Sequence, residues 1–400
     1  MFAMLFLPFL ACVEAAPEPT DAITSLGPVT PSRWPAWSRP EVRPRATGGA
    51  DGALLFEPGV IQELDLSLDA DARDRLADDP RADVVATLRW RGEDYTVGLG
   101  LKGSSSFRTL DGKAAFKIDV HEWDPDARID GLKRFSLNNM VADAAMAREH
   151  TYYWLCERLG VPVIRHTYAR VRIDGELYGL YGLLEALDEQ LVKRVWPSDE
   201  DGPLYEASGA DFTRDRSWFE LREEGVGLEV ASIIDVVEDT PAEGWLPLLE
   251  SHFDVDSLMT HLALDIVTGN PDGYVFNRHN YYVYGAPRAQ RWFLTPWGTD
   301  RSFMRAQLPV DGDLETPEVG VLVVRCVEVT DCRERLYGRV REVAEAWETL
   351  DVVGHLDTVL ALIADDCEAD PRKEWGCDPD AFRDLVIARA QFVLDDLATR

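Results

Sequence analysis

The hydrophobic and polar positions divide the chain into a strand-rich first part and a helix-rich second part. Between residues 54 and 120, apolar and polar residues alternate in several runs, the period-two pattern of half-buried strands. Two further strands are predicted at residues 167–174 and 177–185, joined by a turn at Asp174-Gly175-Glu176. We therefore predict a β-rich unit over residues 51–186.

The remainder of the chain shows mainly the helical period. One helix is predicted inside the β-rich unit, at residues 144–159, and the others at residues 187–196, 255–269, 334–363 and 379–399. The segment 255–269 is apolar on most faces, which predicts a buried helix. Two strand-like stretches follow it, at residues 277–285 and 291–300. This order predicts an α+β fold class with two lobes, the second and α-rich lobe covering residues 187–400.

The first fifty residues have a different character. Residues 1–13 form an apolar run of signal-peptide length that is too short to cross a membrane. Two cleavage patterns compete: Phe9-Leu10-Ala11-Cys12 resembles a lipoprotein box with Cys12 lipidated, and Val13-Glu14-Ala15 resembles a small-residue site. No Lys or Arg precedes the run, so an untargeted N-terminus is the alternative. We predict a signal sequence over residues 1–15, a disordered Pro/Ala/Ser-rich linker over 16–50, and export to the outer surface or periplasm.

Composition narrows the class of partner. The chain has 400 residues, of which 46% are hydrophobic and 10% aromatic, enough to build a core. Lys and Arg total 41 against 72 Asp and Glu, which gives a net charge of −31. Such a field repels phosphate backbones, so DNA and RNA are excluded as generic partners. A local basic pocket for one nucleotide with a divalent metal remains compatible with this charge.

Five of the cysteines lie in the region predicted to fold. Cys326 and Cys332, and likewise Cys367 and Cys377, are spaced to close short loops in an oxidising compartment. Cys156 lies in an apolar helical pattern and is expected to be a buried free thiol. The acidic run at residues 365–370 lacks EF-hand spacing, so a solvated loop held by a Cys367–Cys377 bridge is favoured over a Ca²⁺ site.

The strongest candidate chemistry follows the predicted buried helix. Asp272 begins a polar stretch, and Asp300 follows the second of two predicted strands, which would bring the two carboxylates together. Phosphoryl transfer uses one Asp to orient the attacking hydroxyl and a second Asp with an Asn to hold divalent ions. Asn277 lies five positions after Asp272, as in a protein-kinase catalytic loop, although the His-Arg that precedes that Asp is missing. On spacing alone a polar turn capped by Asp272 is the favoured interpretation, because Asp and Asn are among the commonest turn residues.

A second candidate is the segment Lys102-Gly103-Ser104-Ser105, followed by a lysine at position 117. A Gly-Ser loop between strands presents N–H groups and hydroxyls to phosphate oxygens. Lys117 lies in an apolar strand pattern, as a phosphate-binding strand lysine does. The alternative is an edge-strand lysine that discourages aggregation.

Two glutamates complete the candidates. Glu149 lies near the start of the helix predicted at 144–159, where it could pair with a strand lysine, and Glu157 is its competitor two turns later. A solvent-facing charge is the alternative for both. Glu185 ends the second strand of the predicted hairpin, where it would contact nucleotide, close the lobes, or merely end the strand.

Five motifs in order between residues 54 and 337 together resemble the spore coat protein H (CotH) kinase family. Each motif is weak by itself, and their order and spacing carry the resemblance. The motifs are Lys102-Gly103-Ser104-Ser105-Ser106; Lys113 with Phe116-Lys117-Ile118; Leu137-Asn138-Asn139 with Asp143 and Arg148-Glu149; the hairpin from Asp174 to Glu185; and Asp272 with Asn280-Tyr281-Tyr282 and Pro296-Trp297-Gly298-Thr299-Asp300.

The resemblance implies a bilobal, atypical protein-kinase-like fold and a secreted enzyme that phosphorylates Ser or Thr of other proteins with ATP and Mg²⁺ or Mn²⁺. Roles then carry over residue by residue. The implied roles are Asp272 as catalytic Asp; Asp300 as main metal ligand; Asn280, in preference to Asn277, as second metal ligand; Lys117 on phosphates with Glu149 as its helix partner; and Lys102, Gly103, Ser104, Ser105 and Glu185 around the nucleotide.

Two departures from the family pattern stand at this site. Gly298 replaces an Asp, and Lys102 replaces an Arg, which loses bidentate phosphate recognition. A catalytically inactive binding or structural module of the cell surface is therefore the alternative function, and another transfer reaction on the same fold is a third. We expect a monomer, and the sequence names no protein substrate.

Overall fold

The computed structural model describes residues 51–400, except residues 214, 216, 217, 313 and 315. The predicted signal sequence, the linker and Cys12 lie outside the described residues. Strands and helices are mixed in the described part, which confirms the α+β class. These elements belong to a single compact unit.

Seven strands of the first half close into a barrel, in the order β1-β2-β3-β4-β5-β7-β6. Neighbours are antiparallel except β6 and β1, whose parallel pairing completes the closure. The strands are β1 (Ile61–Ser67), β2 (Asp83–Trp90), β3 (Glu93–Lys102), β4 (Ala115–Asp119), β5 (Arg134–Asn138), β6 (His166–Ile173) and β7 (Glu176–Glu185). Two helices belong to this half of the chain, α1 (Ala70–Asp78) and α2 (Arg148–Leu159).

Alternation along the barrel strands explains where the first core lies. In β2 every second residue is buried, and these side chains fill the barrel interior together with those of its neighbours. The predicted hairpin between β6 and β7 is confirmed. Its turn residues Asp174 and Gly175 both have positive φ, 53° and 82°, as a two-residue hairpin turn requires.

A second sheet and most of the helices form the rest of the fold. The sheet has the antiparallel order β11-β10-β8-β9. Its strands are β8 (Leu204–Ala207), β9 (Phe219–Glu223), β10 (Tyr281–Ala286) and β11 (Arg291–Pro296). The helices are α3 (Glu189–Val195), α4 (Val230–Asp239), α5 (Trp245–His252), α6 (Val255–Thr268), α7 (Tyr274–Asn277), α8 (Val321–Glu328), α9 (Thr330–Thr349), α10 (Val352–Ala369) and α11 (Pro379–Ala398).

Helix α6 is the centre of this second core, as its apolar pattern predicted. Every residue from Ser257 to Thr268 is buried. The Asp254 side chain accepts a hydrogen bond from the Ser257 amide at the N-terminus. Gly269 ends the helix in the left-handed conformation, with φ of 56°. The polar loop that begins at Asn270 follows this end of the helix directly.

Two predicted helices differ in extent. The helical pattern predicted over 334–363 is divided between α9 and α10, because Asp351 adopts a positive φ of 54° and caps α10 through Gly354. The helix predicted from residue 144 begins at Arg148. The Asp143 carboxylate accepts hydrogen bonds from the Ala145 and Arg148 amides and so holds the preceding turn.

The predicted disulfides and the predicted free thiol are confirmed, whereas the solvated loop predicted at residues 365–370 is wrong, because residues 365–369 belong to α10 and both Asp366 and Asp370 are buried. Cys326–Cys332 links α8 to α9, and Cys367–Cys377 closes the loop between α10 and α11. Cys156 is a buried free thiol in α2. Across the described ranges, every helix is too short or too polar to pass through a lipid bilayer.

Candidate active site

Four charged side chains from distant parts of the chain meet beside the start of α2. Lys102 is the last residue of β3, and Glu149 lies in the first turn of α2. Asp272 lies in the loop after α6, and Asp300 lies in the loop after β11. The charges of Glu149 and Asp300 both act on the ammonium group of Lys102. The carboxylate of Asp272 in turn acts on that of Asp300.

Glu149 is the most firmly held of the four. Its carboxylate is buried and accepts hydrogen bonds from Asn138 Nδ2 at 2.7 Å and from the Tyr153 hydroxyl at 3.0 Å. Burial raises the pKa of Glu149, and the nearby Lys102 charge opposes that rise. Both donors are neutral, so Lys102 supplies the positive charge that faces this carboxylate.

The prediction that Lys117 pairs with Glu149 is wrong. The Lys117 side chain is 54% exposed and its Nζ lies 2.9 Å from Oδ1 of Asp83 on the neighbouring part of the barrel. In β4 the residues on either side of it, Phe116 and Ile118, are buried. The period of two therefore turns Lys117 outward, and Lys102 takes the position beside Glu149 instead.

Lys102 lies against an aromatic ring as well as against carboxylates. Its Nζ is 4.8 Å from the centroid of the Trp297 ring. Burial lowers the pKa of Lys102, while Glu149, Asp300 and Glu206 act to raise it. A partly desolvated amine among acids, next to a flat ring, is suited to bind an anionic group that enters from solvent.

The loop that carries Asp272 is ordered from beneath by a buried carboxylate. Asp265 of α6 accepts hydrogen bonds from Tyr152 in α2 at 2.7 Å and from Asn270 at 2.9 Å, and a weaker one from the Val275 amide at 3.3 Å. This one side chain ties the helix of Glu149 to the loop of Asp272. Sequence reasoning did not single out Asp265, because it is one of several polar residues in a mainly apolar helix and belongs to no motif.

Asp272 itself is partly exposed and oriented by a neighbour. Asn277 Nδ2 donates to Asp272 Oδ1 at 2.9 Å, which leaves Oδ2 facing Arg301 at 3.8 Å. The five-residue spacing predicted from the sequence therefore corresponds to a direct contact. In this structure Asn277 positions the carboxylate of Asp272.

Asp300 lies in an excess of negative charge. Burial and then Glu149, Asp143 and Asp272 raise the pKa of Asp300 to about 7. Among the described residues, no hydrogen-bond donor or cation pairs with its carboxylate; the nearby Arg301 opposes the rise only in part. A divalent cation would relieve this repulsion, so the charge arrangement fits a metal ligand.

Asn280 lies next to the same segment. Its Nδ2 donates to the Gly298 carbonyl at 3.3 Å, and its backbone carbonyl accepts from the Trp297 amide at 2.9 Å. Gly298 has φ of 57°, and a Cβ there would lie 3.2 Å from the Asn280 side chain. Glycine thus allows this close approach, which the Asp of the family pattern would strain.

No cluster of three or more His, Cys, Asp and Glu ligands is formed by the residues that the structure describes. This arrangement is compatible with magnesium, which binds proteins through one or two carboxylates and completes its shell with water and phosphate oxygens. Asp300 and Asn280 could supply such a minimal set if Asn280 Oδ1 exchanged its present neighbour, His279 Nδ1 at 2.9 Å, for a metal ion.

The Gly-Ser loop directly follows Lys102. Gly103 has φ of 109°, and Ser104 and Ser105 are exposed to solvent. The loop is held from behind by Asn139, whose Nδ2 donates to the carbonyls of Ser106 and Lys113.

The expectation that Glu185 contacts nucleotide is not supported by its surroundings. Its carboxylate is buried between Arg165 and Arg194, with distances of 2.6 Å to each guanidinium. These two arginines hold the pKa of Glu185 below its usual value against the effect of burial. Glu185 is saturated by partners and fastens the end of β7 to α3.

A family model described as CotH kinase protein matches residues 99–392, more than half of the chain. The chain belongs to the CotH kinase family. The matched stretch begins just before Lys102 and includes Glu149, Asp272 and Asp300.

Two curated relatives extend the comparison. Inner spore coat protein H of Bacillus subtilis is 25% identical over 378 residues, covering 86% of this chain and 96% of the relative. Invasin CotH2 of Rhizopus delemar is 23% identical over 306 residues, covering 69% of this chain and 50% of that protein. This CotH chain thus spans about half the length of the Rhizopus relative.

Proposed function

We propose that this CotH family protein transfers the γ-phosphoryl group of ATP to Ser or Thr hydroxyls of exported or cell-surface proteins, with Mg²⁺ or Mn²⁺. The observation that carries the proposal is the meeting of Lys102, Glu149, Asp272 and Asp300, four residues that are far apart in sequence. Phosphoryl transfer is mainly positioning and charge stabilisation, and these residue types supply both. In this proposal the barrel and the helical part act as the two lobes of a kinase-like fold.

Each residue has a defined part in the proposed reaction. Lys102, held by Glu149, binds phosphate oxygens next to the Gly-Ser loop. Asp272, oriented by Asn277, accepts the proton of the acceptor hydroxyl. A bond forms between that oxygen and the γ-phosphorus while the bond to the ADP oxygen breaks. Asp300 and Asn280 would hold the metal, which neutralises phosphate charge when bound.

The relatives support the exported location in this proposal. One is named a spore coat protein and the other an invasin, and both names describe proteins at a cell or spore surface. The apolar run at residues 1–13 is compatible with the same location. A lipid anchor at Cys12 remains a separate part of the proposal.

Nucleotide binding by the full-length chain tests the proposal first. A ligand that binds only the native state raises its stability by RT ln(1 + [L]/Kd), about 2.7 kcal/mol at a hundredfold excess over Kd. We expect ATP with Mn²⁺ to raise the melting temperature of the wild type, and γ-labelled ATP to label a protein acceptor. Asp300→Asn should lower transfer by about a thousandfold.

Asp357→Asn is the matched control, because Asp357 forms an exposed ion pair with Arg383 away from the site. It should leave both readouts unchanged. Nucleotide binding without transfer in the wild type would favour the inactive binding module. No binding at millimolar ATP by a folded wild type would reject the kinase proposal.

A further inference from the structure

One wall of the candidate site contains a carboxylate that no motif includes. Glu206 lies on β8, opposite Tyr282 of β10 in the strand register. The Tyr282 hydroxyl donates to Glu206 Oε2 at 2.8 Å, and the Tyr282 and Trp297 rings lie 6.4 Å apart. Trp297 in turn lies under Lys102. A continuous row of side-chain contacts therefore runs from Lys102 through Trp297 and Tyr282 to Glu206. This row is here called the aromatic wall.

The two oxygens of the Glu206 carboxylate differ in their surroundings. Its Oε2 accepts from Tyr282 and from Arg222 Nε, each at 2.8 Å. Within the described residues, Oε1 has no hydrogen-bond partner, and the side chain is 25% exposed. Arg222 already balances the negative charge, so the open oxygen is better suited to a neutral hydroxyl donor than to a second cation.

The position of Lys102 limits which part of a ligand reaches Glu206. If Lys102 binds phosphates, a carboxylate within its electrostatic reach would repel those phosphates and must face a donor group instead. In ATP the group next to the phosphates is the ribose, with two neighbouring hydroxyls, whereas the amino group of the base lies farther away. The ribose is therefore the part of ATP that fits this wall.

We propose that Glu206 binds the ribose hydroxyls of the nucleotide and makes the site selective for ribonucleotides over deoxyribonucleotides. This inference rests on the proposed function, since it needs a nucleotide at the aromatic wall. A hydrogen bond to a charged group contributes about a factor of ten or more to affinity. Loss of either hydroxyl should therefore be measurable in binding.

The test compares ATP, 2′-deoxy-ATP and 3′-deoxy-ATP on the full-length chain with Mn²⁺, by calorimetric titration. We expect the wild type to bind ATP about tenfold more tightly than at least one deoxy analogue. Glu206→Gln should reduce this preference to within about twofold. Equal wild-type affinity for all three nucleotides would overturn the inference and leave the proposed function intact.

Glu220→Gln is the matched control. Glu220 is an exposed carboxylate on β9 whose Oε1 lies 2.9 Å from Nη1 of the same Arg222. It should keep the tenfold preference, and melting curves should show that both variants are folded. If Glu220→Gln also lost the preference, Arg222 rather than Glu206 would be responsible. A wild type that bound none of the nucleotides would reject the proposed function together with this inference.

Discussion

Two lysines lie below the surface of this protein, and their surroundings differ in kind. Lys113, in the segment between β3 and β4, has its Nζ 2.7 Å from Asp370 Oδ2, and both side chains are about 1% exposed or less. The remaining bonds to Asp370 come from the Leu180 and Arg372 amides. Lys102, by contrast, faces the carboxylates of Glu149, Asp300 and Glu206 without a close ion pair to any of them among the described residues.

The difference separates a balanced structural ion pair from a group of charges with an excess of carboxylates. We call the Lys113–Asp370 pair closed, because it contains one charge of each sign and both oxygens of Asp370 accept hydrogen bonds from backbone amides. Around Lys102 there are more carboxylates than cations, and burial together with this excess of negative charge raises the pKa of Asp300 to about 7. A buried lysine is therefore informative only together with the count of its acidic neighbours.

The largest expected effect comes from opening the closed pair. Lys113→Met should lower the free energy of unfolding by about 3–5 kcal/mol, because it leaves Asp370 buried without a counter-charge. Urea denaturation measures this change. The double variant Lys113→Met/Asp370→Asn should recover part of the loss. A decrease below about 1 kcal/mol would mean that the pair is hydrated and that the comparison with Lys102 fails.

The second prediction compares Lys102 with the lysine that the sequence favoured. Lys102→Met should lower phosphoryl transfer about a hundredfold, because a phosphate contact next to Glu149 is lost. Lys117→Met should stay within about twofold of wild type, since Lys117 is exposed and pairs with Asp83. Steady-state transfer rates on folded variants decide between them. A larger loss at Lys117 would reverse the assignment drawn from the structure.

The outward orientation of Lys117 could have been predicted from the sequence. The alternation Phe116-Lys117-Ile118 already contains the answer, because two apolar neighbours that point into a core force the middle residue outward. The family pattern favoured Lys117 and overrode this local signal. Hairpin pairing of β10 with β11, which brings Asp300 back towards Asp272, was predictable from the strand-like stretches and is confirmed.

Other parts of the site have no local signal at all. Glu206 reaches the aromatic wall only through pairing of β8 with β10, and closure of the barrel depends on parallel pairing of β1 with β6. Both are contacts between segments distant in the chain, which periodicity does not encode. Asp265 is similar, since its role depends on Tyr152 from another helix.

A third prediction concerns the region behind Glu149. His166 Nδ1 shares a hydrogen bond with His150 Nδ1 at 2.8 Å, its Nε2 is buried, and the rings of Tyr153 and Tyr168 cover it. Burial lowers the pKa of His166 to about 3.

The unfolded chain takes up this proton near pH 6.5 and the folded chain does not, so stability falls as pH falls below 6.5. The loss should reach about 2 kcal/mol at pH 5. Denaturation of wild type and His166→Asn across pH 5–7 measures the difference. The pH slope should be smaller in the variant, and His252→Asn, which removes a half-buried histidine, should change it less. Identical slopes in wild type and His166→Asn would contradict the prediction.

The smallest effect on stability is also the one that separates the two lysine regions most directly. The pKa of Asp300 is raised to about 7, above its unfolded value, so the folded state loses stability as pH rises from about 4 to about 7 and the carboxylate ionises. Without metal at pH 8, Asp300→Asn should therefore raise the free energy of unfolding. The increase should be about 1 kcal/mol, which is less than the full electrostatic cost of the ionised carboxylate, because the side chain is partly exposed to solvent. The same change at the closed pair, Asp370→Asn, should lower it, since Lys113 loses its counter-charge. Urea denaturation in the presence of a chelator gives both signs. If Asp300→Asn were destabilising instead, its carboxylate would be an ordinary structural group, and the excess of negative charge around Lys102 would not indicate a cation-binding site.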